Sequence, residues 1–159
     1  MTLFFLLLLL VGPYVILTLA ERWKAGLKIA TAARARVGLS LFFVFTGIGH
    51  FLQTDEMAAM LPSFVPNRVT IILVTGIFEL LGAIGVWIPR LMRITGLCLI
   101  LMLIGILPAN IYSAINRIDF GGHGSGPVYL LVRIPFQFLV IWWVYFATEQ
   151  QWPSKRRQQ

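Results

Sequence analysis

Four polar residues interrupt four separate apolar runs: His50, Glu79, Asn110 and Arg133. On insertion scales an ionisable side chain at the bilayer centre costs roughly 2.5–3.5 kcal/mol, so such residues face a bundle interior and pair there. Together they offer an imidazole, a carboxylate, an amide and a guanidinium, groups able to hydrogen-bond a polar molecule or exchange protons with it. Gln137 follows Arg133 at i+4 and shares its stripe. Pro135, between them, has no N–H for the Leu131 carbonyl, and Pro108 does the same to Ile104 two residues before Asn110. Two readings stand: a site where something binds or reacts, or a buried network that fixes helix register.

The elements that carry these residues follow from composition. Hydrophobic residues make up 58% of the 159 and charged ones 12%, with a mean hydropathy of +0.85. A soluble domain would carry about a quarter charged residues. Five stretches approach or exceed the ~18 apolar residues of a spanning helix: Leu3–Ala20, Val37–Leu52, Val69–Pro89, Ile94–Ala114 and Tyr129–Ala147. The second is short and gains length if it extends back through Ala30–Arg36. The first has no preceding positive charge and is longer than a signal-peptide core, so it reads as a retained helix. The expected architecture is an all-α membrane protein. Residues 1–36 form an N-terminal transmembrane helix and basic loop, 37–147 a four-helix domain, and 148–159 a basic tail.

Charge orients the bundle. Arg22, Lys24, Lys28, Arg34, Arg36, Arg90, Arg93, Lys155, Arg156 and Arg157 fall on one side. Arg68 and Arg117 fall on the other, with Asp55, Glu56 and Asp119. This positive-inside bias puts the N-terminus outside and the C-terminus in the cytoplasm. The net charge of +7 then reflects contact with anionic lipid and calls for no nucleic acid. Trp23, Trp87, Trp142, Trp143 and Trp152 cluster near the cytoplasmic ends, as an interfacial girdle would.

Glu79 lies about ten residues into its helix, roughly 15 Å deep. Gly76, Gly82 and Ala83 share its face, so that face meets protein. Arg133 is the intramembrane cation available to it. His50, with Thr46 and Gly47 on its face, lies near the outer end of the second helix. Across Gln53–Arg68, Met57, Met60, Leu61, Phe64 and Val65 follow helical spacing, interrupted by Pro62, as a short membrane-resting cap would. The glycine-rich stretch 121–126 reads as flexible and lacks the Lys-Ser/Thr pair of a P-loop. Cys98 is the single cysteine, so no CxxC pair exists. Two histidines give no metal-ligand spacing, and no nucleophile stands beside a recognisable base. No catalytic residue is assigned.

Gly47-Ile48-Gly49-His50-Phe51, residues 76–85 (GIFELLGAIG), Pro108-Ala109-Asn110-Ile111-Tyr112 and Arg133-Ile134-Pro135-Phe136-Gln137 resemble, in order and spacing, the DoxX family of small bacterial membrane proteins. The resemblance covers roughly residues 37–145 and implies a four-helix core. It adds Tyr112 to His50, Glu79, Asn110, Arg133 and Gln137 as a candidate ligand-binding or structural cluster. It also implies a bacterial inner-membrane protein accessory to a quinone- or thiol-linked redox complex, with other membrane or redox subunits as partners and a quinone as ligand. The first helix departs from that core, and the lone Cys98 argues against self-contained thiol chemistry. A non-catalytic assembly, chaperone or structural subunit is the alternative.

The orientation is testable in a Cys98→Ser background. Single cysteines at positions 24 and 156 are expected to escape an impermeant thiol reagent in intact cells, while one at position 55 reacts. The reverse pattern overturns the topology.

Overall fold

Long apolar runs in a chain with few charges leave the backbone only its own carbonyls to bond, and helices result. The computed structural model describes residues 2–23 and 29–148. Its α-helices are α1 (Thr2–Trp23), α2 (Thr31–Leu52), α3 (Thr54–Ala59), α4 (Arg68–Gly85), α5 (Met92–Ile115) and α6 (Leu130–Thr148). A run of 3₁₀ turns, His123–Tyr129, leads into α6. Among the described residues every regular element is helical. Five helical segments are long and apolar enough to cross a membrane. α2 does extend back through the alanine-rich stretch, so the expected domain limit at residue 37 falls inside it. Lys24, Lys28, Trp152 and the basic residues 155–157 lie outside the described residues.

Pro13, Pro108 and Pro135 sit inside α1, α5 and α6, and each helix continues through them. The outward faces are apolar: Phe4, Ile16, Phe78, Leu81, Ile84, Ile94, Leu101 and Phe138 are all more than half exposed. Such an exterior is compatible with contact with a bilayer.

α2 is the hub. It packs on α1, α4 and α6, and the α4–α5 and α5–α6 pairs complete a ring. Glycine makes the closest crossings possible. A Cβ on Gly38 would stand 2.0 Å from the carbonyl oxygen of Leu10, so α1 lies directly on the backbone of α2. Trp143 of α6 is buried, donates Nε1–H to the Ala35 carbonyl at 3.1 Å and meets the Tyr14 ring edge-on at 5.7 Å. This indole joins three helices. It is a core residue, unlike the exposed Trp23, Trp87 and Trp142 of the expected girdle.

Arg34 also differs from its place in the charge count. It is buried, paired with Glu21, and donates to Thr18 Oγ1 at 3.2 Å and to the Ile29 carbonyl at 2.7 Å. One basic-side cation therefore pins α1 to α2.

Gly38→Ala should force α1 outward and cost about 1–3 kcal/mol, the usual range for overpacking. Gly105→Ala, whose methyl meets nothing within 4 Å, should leave thermal stability in detergent unchanged or slightly raised. Equal melting temperatures for the two variants would refute the close crossing.

Candidate functional site

Where α2, α4, α5 and α6 approach the connections 53–67 and 116–129, they enclose a cavity of about 950 Å³. His50, Glu79, Asn110, Arg133 and Gln137 all line it. Tyr112 does not. It stands two residues beyond Asn110, about 200° around the same helix, and so faces away.

The α2–α4 crossing creates the centre of the site. A Cβ on Gly76 would stand 2.7 Å from the His50 Cβ, and one on Gly47 would stand 3.2 Å from the Gly76 carbonyl oxygen. At this separation His50 Nδ1 lies 3.0 Å from the Ile72 carbonyl oxygen. A carbonyl only accepts, so Nδ1 carries the hydrogen and donates it. Nε2 then faces Glu79 Oε1 at 3.6 Å. His50 and Glu79 thus stand side by side, an imidazole edge against a carboxylate, as one unit of the site.

Arg133 was the partner expected for Glu79, but no ion pair joins them. Arg133 lies in the first turn of α6, and its Nη2 donates to Asn110 Oδ1 at 3.4 Å. Gln137 Nε2–H donates to a carbonyl of α5 at 2.6 Å, but to Leu103 and not to the proline-freed Ile104. Leu103 is seven residues from Asn110, two turns along the cavity face, whereas the Ile104 side chain is exposed.

Both connections form caps. In the first, α3 and the turn after it bring Met57, Met60 and Leu61 to the cavity, while Phe64 stays 83% exposed. In the second, the glycine-rich stretch is built into turns. Gly122 has φ +102°, and a Cβ there would meet the Tyr129 ring at 2.7 Å. Tyr129 donates its hydroxyl hydrogen to the Gly121 carbonyl at 2.7 Å. Its ring packs edge-on against His123 at 4.8 Å. His123 is buried, lines the cavity and donates Nδ1–H to the Phe120 carbonyl at 2.8 Å. Composition conceals this residue, because glycines suggest flexibility. The flanking Phe120 and Tyr129 were the available signal that the loop packs.

Four cavity-lining side chains each hold a buried polar atom without a hydrogen-bond partner: Glu79 Oε2, Asn110 Nδ2, His123 Nε2 and Arg133 Nε. Buried polar atoms are almost always satisfied in folded proteins. Four exceptions around one cavity can serve a molecule held inside it.

The family model of Domain of unknown function (DUF8561) matches residues 39–148. The chain belongs to that family. No curated protein matches it, and no solved structure does. The matched segment of this DUF8561 member contains every polar residue named above as lining the cavity, whereas α1, which precedes it, contributes only Leu3 and Leu6.

His50→Gln and Glu79→Gln should be non-additive in this DUF8561 protein, with an interaction energy within the roughly 0.5–3 kcal/mol typical of contacting residues. Glu79→Gln and Arg133→Gln should couple more weakly. A double-mutant cycle of thermal stabilities in detergent measures both, and the opposite ranking would contradict the pairing.

Proposed function

We propose that this protein is an integral membrane subunit that holds a lipid-soluble, quinone-like amphiphile in its outer-half cavity. The observation that carries this reading is that all four side chains with these unpartnered atoms line one cavity. Its volume, about 950 Å³, lies within the ~300–1,000 Å³ of small-molecule sites. Much of its wall is apolar, including Phe42, Phe136 and Val140, which suits the body of such a ligand. The His50–Glu79 unit can give a proton to the head group or take one from it.

The DoxX resemblance supports the same reading and supplies its setting: a four-helix transmembrane bundle with α1 added, in a bacterial inner membrane, N-terminus outside. The sequence has no electron-carrier motif, so electrons for a bound quinone come from a partner subunit. The protein's role is to present the ligand.

Organic extraction of the protein purified in mild detergent, followed by mass spectrometry, tests this. An apolar molecule with an oxygenated head should co-purify, and Glu79→Leu or Arg133→Leu should lower its load about tenfold or more. An empty parent protein, or an unchanged load in both variants, would leave the polar cluster as structural support for an assembly subunit.

A further inference from the structure

The four unpartnered atoms are of two kinds, and the mixture discriminates between head groups. Arg133 only donates, so Nε is a donor. Asn110 Oδ1 already accepts from Arg133, which leaves Nδ2, also a donor, without a partner. Opposed to these are two acceptors. Because His123 Nδ1–H is committed to Phe120, the neutral ring presents Nε2 as a lone pair. Glu79 meets His50 through Oε1, which leaves Oε2 as an unpartnered carboxylate acceptor. Asn110, His123 and Glu79 are 1%, 3% and 5% exposed, so bulk water does not serve them. Asp119 also lines the cavity, but it is exposed.

A dicarbonyl head group accepts hydrogen bonds and donates none. It can satisfy Arg133 and Asn110, but it buries His123 Nε2 and Glu79 Oε2 with nothing to accept. A dihydroxyarene both accepts and donates through each hydroxyl, so it can serve all four atoms. Resting on the ligand site proposed above, we propose that the cavity selects the reduced head group. It binds an apolar-tailed hydroquinone more tightly than the matching quinone, and His123 and Glu79 are the residues that distinguish them. Leaving one buried acceptor unserved weakens binding by about tenfold or more. A tenfold preference raises the midpoint potential of the bound two-electron couple by about 30 mV.

The test is anaerobic calorimetric titration of the full chain in nanodiscs with a decyl-substituted benzoquinone and with its quinol. The quinol should bind at least about tenfold more tightly. His123→Leu should shrink the quinol-to-quinone ratio about tenfold or more by weakening quinol binding, while quinone affinity stays within about threefold of the parent. If His123→Leu does not fold, Glu79→Met removes the other acceptor and should shrink the ratio in the same direction. Equal affinities, tighter quinone binding, or a preference undiminished in these variants would overturn the selection of the reduced form and leave the ligand site standing. Failure of both probes to bind would overturn the site itself.

Discussion

The closeness of α2 to α4 is the constraint on which the rest depends. With hydrogen in place of a side chain at Gly47 and Gly76, the helices cross so tightly that a methyl on Gly76 would overlap the first carbon of the His50 side chain. That contact brings His50 within reach of both the Ile72 carbonyl and Glu79. The backbone of α4 fixes the tautomer of an imidazole on α2 and leaves its Nε2 to meet the carboxylate. A backbone distance thus sets the hydrogen-bonding pattern of the site.

Opposite this crossing the cavity is bounded by softer means. α5 and α6 meet through Gln137 and the Leu103 carbonyl and through the long Arg133–Asn110 bond, while the caps use methionines and a packed tyrosine. Methionine adapts to irregular contents. One wall is therefore defined by backbone contact, and the remainder by side chains that can adjust to what lies between them.

The chain announces its helices because apolar length is unambiguous, and it announces His50, Glu79, Asn110, Arg133 and Gln137 because each is costly in hydrocarbon. Which of them touch is less visible. Glu79 had two cationic or potentially cationic candidates, and the choice of His50 over Arg133 rests on the rotation and separation of helices set by Gly47 and Gly76. His123 was hidden by surrounding glycines, although those same glycines permit the turn that buries it. Arg34 and Trp143 carried the marks of surface residues. Their burial follows from α1 lying on α2, a tertiary contact that local pattern does not encode. The DUF8561 match extends over α2–α6 without stating an activity, so function has to be argued from the cavity.

The Arg34–Glu21 pin bears on the order of assembly during synthesis. Its partners are 13 residues apart, so α1 and α2 can close as a hairpin while the later helices are still on the ribosome. The cavity is built differently. Gln137 reaches back 34 residues to Leu103, and Arg133 reaches back 23 to Asn110. Contacts distant in sequence form late because more chain must be ordered first. A nascent chain thus neutralises Arg34 early, whereas His50 and Glu79 lack their final surroundings until α6 docks. The cavity therefore closes only with the docking of α6, as does the Trp143–Ala35 joint, whose partners are 108 residues apart.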